Sequence, residues 1–225
     1  MLLMSQTLVR TGHTFVTPSD TNLIPTMLNV DGSHTYQAAD VSVTQVGSTY
    51  TASIPGGDAA ASTWFNTDEG RLDYVTFTGD FDVVATNIGL ASGATVDDFQ
   101  FCGLAVWLSS QNYEFAVAGN RGATTSTVEY KSTLAGSSVQ NDTGASSITS
   151  HRCDLRVERS GSTVTFYRRA VGGSTWTTIP HSGLSHRVSF GTGAVRVGIL
   201  TYGFAFVAAF TSECISVVAT TGTPS

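Results

Sequence analysis

Carboxylates at strand spacing are the first residues of this sequence that could do chemistry. Asp154 and Glu158 lie four residues apart on one face of a predicted strand, which places them about 13 Å apart, too far for either glycosidase geometry. Glu114 has no acidic neighbour two or four residues away. The sequence therefore predicts no catalytic carboxylate pair and favours a chain that is not an enzyme. A glycoside hydrolase with an unrecognised site is the less favoured alternative.

Other reactive residue types are scattered. The sequence contains no GxSxG elbow, HExxH motif or phosphate loop, and its five histidines fall in predicted loops. Cys102, Cys153 and Cys214 are widely spaced beside apolar residues, which favours buried free thiols over one disulfide pair. No cofactor and no catalytic metal is predicted. A structural calcium ion at Asp80–Asp82 or Asp97–Asp98 is left open, although loop aspartates more often cap turns.

Charge is sparse along the chain. Charged residues make up 12% of the 225 residues, the formal net charge is −6, and Lys131 is the only lysine. This composition argues against nucleic-acid binding and suits an extracellular coat or a binder of neutral sugars. The N-terminus has no signal-peptide pattern, and no window approaches the length of a membrane span. We therefore expect a virion-surface or extracellular location that is reached without a classical signal peptide.

Period-two alternation dominates the elements that must position these residues. About a dozen short strands, separated by Gly-containing turns such as Ser160–Gly161–Ser162, predict an all-β fold with two antiparallel sheets. We expect a β-sandwich (jelly roll) over residues 36–225, with a closed barrel as the alternative. Residues 1–35 are irregular and read as an N-terminal arm. Docking of this arm on its own domain is favoured over docking on a partner.

Strand parity assigns side chains to the two faces of each sheet. The residues expected in the core are Leu104, Val106, Leu155, Val157, Val164 and Phe166. On the next strand, Tyr113, Phe115 and Val117 are taken as inward, which leaves Glu114 outside. The outward set, and hence the candidate ligand-binding residues, are Trp107, Glu114, Arg156, Glu158 and Tyr167. Rings beside carboxylates and a guanidinium can stack on a sugar and hydrogen-bond its hydroxyls.

Three segments of the sequence resemble those of the concanavalin A-like lectin/glucanase superfamily, and in particular of its small bacterial and phage jelly-roll domains. They are Gly79 to Val83, Phe101 to Trp107, and Leu155 to Gly161 continuing through Val164 to Arg168 and Trp176. The resemblance covers roughly residues 62–218. It implies a sandwich with one concave sheet, whose exposed face carries the sugar site of the lectins and the cleft of the hydrolases. The Glu-x-Asp-x-x-Glu strand motif of the glucanases is not found here.

These observations together predict a non-catalytic, lectin-like surface module. The favoured interpretation is a phage or virion accessory protein, either a capsid decoration or a tail component, that binds glycans. A carbohydrate-binding module of a polysaccharide-degrading system is the alternative. The expected partners are a glycan or capsid and tail proteins, and oligomerisation is left open. Two structural interpretations compete with a ligand site. Arg156 and Glu158 can form an ordinary cross-strand charge ladder, and the arm can cover Trp107.

Overall fold

A computed structural model of the chain describes residues 13–14, 22–23, 41–56, 71–97, 99–122, 125–142, 148–180, 187–203 and 208–222. Within these ranges the ordered elements are all β-strands. In chain order they are β1 His13–Thr14, β2 Asn22–Leu23, β3 Ser42–Val46, β4 Thr49–Ile54, β5 Arg71–Phe77, β6 Phe81–Leu90, β7 Gln100–Ser109, β8 Asn112–Asn120, β9 Ser126–Leu134, β10 Ser137–Asp142, β11 Arg152–Ser160, β12 Thr163–Arg169, β13 Thr177–Thr178, β14 Val195–Gly203, β15 Phe210–Cys214 and β16 Ser216–Thr221.

The strands form two antiparallel sheets. Sheet A has the order β13-β12-β11-β6-β15-β4-β3, and β16 also pairs with β6 and carries β1 at its outer edge. Sheet B has the order β10-β9-β8-β7-β14-β5-β2. The two sheets pack face to face, which confirms the predicted all-β sandwich and excludes the closed barrel.

The interior between the sheets holds the main hydrophobic core. All six residues that parity assigned to the core lie there with at most 1% of their surface exposed: Leu104, Val106, Leu155, Val157, Val164 and Phe166. On β11 and β12, alternation predicted these positions correctly because each of these two strands presents one strongly apolar face to the opposite sheet. Cys102, Cys153 and Cys214 lie in the same core as free thiols, as the sequence predicted.

Both described pieces of the predicted arm pair with the sandwich. His13–Thr14 pairs with β16 of sheet A, and Asn22–Leu23 pairs with β5 of sheet B. The arm therefore contributes a short strand to an edge of each sheet. The boundary between arm and domain near residue 35 lies outside the described residues and stays a prediction.

A second apolar cluster lies on the outer face of sheet B. It includes Phe101, Trp107, Tyr113, Phe115 and Tyr202, all at most 5% exposed. The rings contact one another: Trp107 stacks on Tyr113 with ring centroids 4.3 Å apart, and Phe115 meets Tyr202 edge to face at 5.6 Å. Sheet B is therefore buried on both faces, whereas the outer face of sheet A is partly exposed.

Candidate functional site

Three of the predicted ligand-binding residues meet on the outer face of sheet A. The Arg156 guanidinium donates to both carboxylate oxygens of Asp82, with Nε–Oδ1 at 2.8 Å and Nη2–Oδ2 at 3.0 Å. Its Nη2 also donates to Glu158 Oε2 at 3.2 Å, and the Tyr167 hydroxyl donates to the same oxygen at 3.1 Å. The guanidinium carbon lies 4.9 Å from the centroid of the Tyr167 ring.

Strand register explains this grouping. The turn at Ser160 to Thr163 aligns β11 with β12 so that Arg156 pairs with Tyr167, and β6 aligns with β11 so that Glu158 pairs with Asp82. Directly paired residues of antiparallel strands project from the same face, about 5 Å apart. The three predicted residues therefore share one face, and β6 adds Asp82, which sequence reasoning did not include.

A second stack of an arginine on an aromatic ring lies along the same strands. Arg169 pairs with Asp154 in the β11–β12 ladder and donates from Nε to Asp154 Oδ2 at 2.8 Å. Its guanidinium carbon lies 4.2 Å from the Trp176 ring centroid. Sequence reasoning missed both Arg169 and Trp176 as site residues. Parity offered a signal for Arg169, because it follows Tyr167 by two positions and therefore shares its face.

We call these seven residues the sheet A platform: Asp82, Asp154, Arg156, Glu158, Tyr167, Arg169 and Trp176. Tyr167 and Trp176 are half-buried, and the side chains of Arg156 and Glu158 are 24% and 37% exposed. Hydrogen bonding to Asp82 raises the pKa of Arg156, so the guanidinium stays charged at any physiological pH. Burial, with the nearby Glu158 carboxylate, raises the pKa of Tyr167, which keeps its hydroxyl a hydrogen-bond donor.

The other two predicted site residues lie elsewhere. Trp107 is on the outer face of sheet B, where it is 3% exposed and borders a cavity of about 210 Å³ together with Thr76 and Arg196. Glu114 pairs with Val106 and points into the interior, fully buried, where its Oε1 accepts hydrogen bonds from Val188 N at 2.8 Å and Ser132 Oγ at 3.3 Å. Burial raises the pKa of Glu114. The assignment of Glu114 to the outside was therefore wrong, and the five residues do not form one site.

The error over Glu114 has a physical cause. On β8, Tyr113, Phe115 and Val117 pack in the outer cluster of sheet B, whereas Ala116 and Ala118 face the main core. Both faces of the strand are buried, so alternation in hydrophobicity no longer distinguishes inside from outside. Assigning the larger apolar side chains of β8 to the interior reverses the parity of the strand.

Glu129 and Lys131 are two buried ionisable residues on the outer face of sheet B. Sequence reasoning missed both as candidate site residues. Glu129 is fully buried, and its Oε2 accepts a hydrogen bond from the Tyr202 hydroxyl at 3.4 Å. Burial raises the pKa of this carboxyl to about 7, although Arg121, Tyr202, Lys131 and Gln140 act in the opposite direction. The Lys131 ammonium lies 5.6 and 5.7 Å from the ring centroids of Tyr113 and Phe115.

The aspartates that the sequence offers as calcium ligands form hydrogen bonds or ion pairs with protein groups where the structure describes them. Asp80 Oδ1 accepts a hydrogen bond from Gly161 N at 2.8 Å, Asp82 binds Arg156, and Asp97 Oδ2 accepts from Ala208 N at 3.0 Å. Asp98 lies outside the described residues. Among the residues that are described, no group of three or more His, Cys, Asp or Glu side chains could hold a metal ion.

Comparison with known proteins shows the fold. The sequence matches no protein-family model and no curated protein. A crystal structure of a functionally unknown protein from Saccharomyces cerevisiae superimposes with a TM-score of 0.59 and 13% sequence identity, covering 84% of this chain and 97% of that one. This likeness establishes a shared β-sandwich architecture and nothing about activity. Membership of the concanavalin A-like superfamily stays a prediction.

More distant similarities involve carbohydrate-related proteins. The GH43 BlXynB protein from Bacillus licheniformis has a TM-score of 0.49 and 12% identity, with 77% of this chain and 37% of that protein covered. The CBM2 module of the evolved Dit of Lactobacillus casei BL23 phage J-1 has a TM-score of 0.45 and 9% identity over 91% and 90% of the two chains. Scores below 0.5 carry no functional argument for this chain.

The prediction that the chain is not an enzyme is wrong as a deduction from the fold, because solved structures of similar fold include enzymes, although the comparisons assign no activity to this chain. The similar structures include GH43 glycoside hydrolases and a Crh5 transglycosylase, the latter 12% identical with a TM-score of 0.40 over 92% of this chain and 86% of that one. That prediction depends on the absence of a familiar carboxylate motif from the sequence.

In the described part of the chain, no helix has the length and apolar character needed to cross a membrane.

Proposed function

We propose that the protein binds a glycan on the sheet A platform. The observation that carries this proposal is the pair of arginine-stacked rings, Tyr167 and Trp176, on one partly exposed sheet face. Each guanidinium lies against one side of its ring and is itself held by a carboxylate from a neighbouring strand. Rings that are fixed before binding lose little conformational entropy when a sugar stacks on them.

The polar groups of the platform suit sugar hydroxyls. Asp82 and Glu158 present carboxylate oxygens, and Arg156 presents N–H groups in a planar fork, so adjacent hydroxyls find both acceptors and donors. Two positive and three negative side chains are paired with one another in the platform, so it attracts no strongly charged ligand. An uncharged or weakly charged glycan is therefore the class of ligand that fits.

The test is binding of the full chain to a glycan array, followed by titration calorimetry with the strongest ligand. We expect Tyr167→Ala and Trp176→Ala each to lower the affinity about 10-fold, as loss of an aromatic anchor does at other interfaces. Val171→Ala is the matched control, because Val171 is 45% exposed in the turn between β12 and β13 and lies outside the platform. A glycan affinity that survives the Tyr167→Ala/Trp176→Ala double change would refute the proposal.

Location and partners are a separate part of the proposal. We retain the virion surface or extracellular space as the proposed location, with capsid or tail proteins as alternative partners. Co-purification of the chain with particles, measured with and without competing glycan, tests this part. Retention on particles that free glycan does not displace would point to a protein partner.

A further inference from the structure

A cleft of about 490 Å³ lies beside the end of sheet A at which β6 ends and β11 begins. Its volume is in the range of small-molecule sites. One wall is the loop that follows β6, and the other is the turn that precedes β11. The lining residues used in the argument below are Asn87, Leu90, Ser92, Val96, His151 and Arg152.

The turn that places His151 in the cleft has an unfavourable backbone conformation. Ser150 and His151 both lie in the left-handed region, at φ 55° and 61°, within a two-residue turn that Arg152 N closes by donating to Thr149 O at 3.2 Å. Such turns prefer Asn-Gly, since other residues pay about 1–2 kcal/mol for a left-handed conformation. Ser-His at these two positions therefore costs stability that an Asn-Gly turn would not.

Several hydrogen bonds hold His151 in this conformation. Ser126 Oγ accepts from His151 N at 3.3 Å and lies 3.0 Å from His151 Nδ1, and His151 O accepts from Leu90 N at 3.3 Å. The close approach of β6 requires Gly89, at φ 146°, because a Cβ there would lie 2.1 Å from His151 O. Strained residues that are held this firmly often occur at ligand sites.

Arg152 gives the cleft a rigid, charge-balanced wall. The residue is 8% exposed, its Nη1 donates to Glu213 Oε2 at 2.6 Å, and its Nη2 donates to Asn87 O at 2.6 Å. Because the guanidinium is already paired with a carboxylate, it gives the cleft little net positive charge. The lining combines hydroxyl, imidazole and amide groups with the apolar side chains of Leu90 and Val96, which suits an uncharged ring that has polar edges and an apolar face.

The cleft is connected to the sheet A platform through one carboxylate. Asp154 Oδ1 accepts a hydrogen bond from Asn87 N at 2.7 Å, and its Oδ2 accepts from Arg169 Nε at 2.8 Å. Asn87 lines the cleft, and Arg169 lies against Trp176. A glycan lying along the platform past Trp176 would therefore have its end close to the cleft.

We propose that this cleft binds the terminal, uncharged sugar ring of the glycan, with His151 as a hydrogen-bonding residue. The proposal rests on the proposed function, because the platform holds the sugars that follow this terminal ring in the glycan. It adds that recognition depends on a free chain end, because the cleft has room for a ring, whereas the platform alone would bind internal segments of a glycan.

The test uses methyl glycosides of glucose, galactose, mannose and xylose, with oligosaccharides of the same sugars, titrated into the full chain. We expect one methyl glycoside to bind in the millimolar range and to lose at least 10-fold in affinity with His151→Gly, which removes the imidazole while glycine accepts the positive φ. Ser92→Trp, at an exposed lining position, should block the cleft to a similar extent. Val171→Ala, which lies outside both the platform and the cleft, should leave binding of the single ring unchanged.

The outcomes separate the two proposals. Oligosaccharide affinity that depends on Tyr167 and Trp176, but is unchanged by both His151→Gly and Ser92→Trp, overturns the cleft proposal and leaves the platform. Methyl-glycoside binding that depends on His151, with no effect of the two aromatic changes on oligosaccharides, overturns the platform alone. Preference for a glycuronic acid over its neutral counterpart would contradict the uncharged-ring assignment.

Discussion

Arg156 donates two parallel hydrogen bonds to Asp82 across the β6–β11 ladder, and its guanidinium lies against the ring of Tyr167. The contact joins three neighbouring strands of sheet A at the centre of the platform. Its geometry requires a planar fork, which lysine does not have. The same side chain therefore contributes both to the alignment of the strands and to the shape of the proposed binding surface.

Arg156→Lys should preserve the fold and weaken the platform. Because Arg156 and Asp82 are partly exposed, we expect a loss of only about 1 kcal/mol in the free energy of unfolding, measured by urea denaturation. The free energy of glycan binding should weaken by more than the free energy of unfolding does, since the ring of Tyr167 loses the planar guanidinium that stacks against it. The reverse pattern, with stability strongly reduced and affinity retained, would identify the contact as purely structural.

Trp107→Ala should destabilise the sandwich. Although the ring projects away from the main core, it is 3% exposed and stacks on Tyr113, so its removal leaves a cavity that costs about 3 kcal/mol or more. Val46→Ala, at an 80% exposed position of β3, is the control and should have little effect. An unchanged melting temperature for Trp107→Ala would show that the outer cluster of sheet B contributes little to stability.

Glu129→Gln should make stability less dependent on pH. Burial raises the pKa of Glu129 to about 7 in the folded protein, so the folded state holds this proton more tightly than the unfolded state does. The contribution of the protonated carboxyl is fully present below the unfolded pKa and is lost as the pH rises through about 7, at a cost of up to about 3 kcal/mol.

Urea denaturation at pH 5 and pH 8 measures this effect. The variant should be more stable than the natural chain at pH 8 and should differ less from it at pH 5. Glu158→Gln, on the partly exposed platform, is the control for a general effect of removing a carboxylate. A pH dependence that is the same in Glu129→Gln as in the natural chain would contradict the raised pKa.

Arg159→Met should reduce stability although Arg159 belongs to neither proposed site. Arg159 is 1% exposed, donates to the carbonyl oxygens of Gly79 and Gly193, and lies 5.0 Å from the Phe81 ring centroid. Methionine keeps most of the apolar stem but leaves both carbonyls without their charged donor, which should cost about 2–4 kcal/mol. Thermal unfolding measures the loss. A melting temperature within a degree of the natural chain would show that water replaces the guanidinium without cost.

Local sequence was enough to predict the core of sheet A and part of the platform. Leu155, Val157, Val164 and Phe166 alternate with polar residues on strands that have one exposed face, so period two identifies the buried side. The short turn after Ser160 then aligns Arg156 with Tyr167, because a tight hairpin determines its own register. These relationships are contained within some 15 residues of chain.

Only the tertiary structure decided the rest. Glu114 faces the interior and Trp107 is buried because sheet B is covered on both faces, and burial of the second face leaves no mark in the alternation of a single strand. Asp82 joins Arg156, and Asn87 joins Arg152 beside the cleft, through the pairing of β6 with β11, strands that are more than 60 residues apart in the chain. Which distant strands become neighbours depends on the packing of the whole core, and so the sequence determined the composition of each face while the fold determined which residues meet on it.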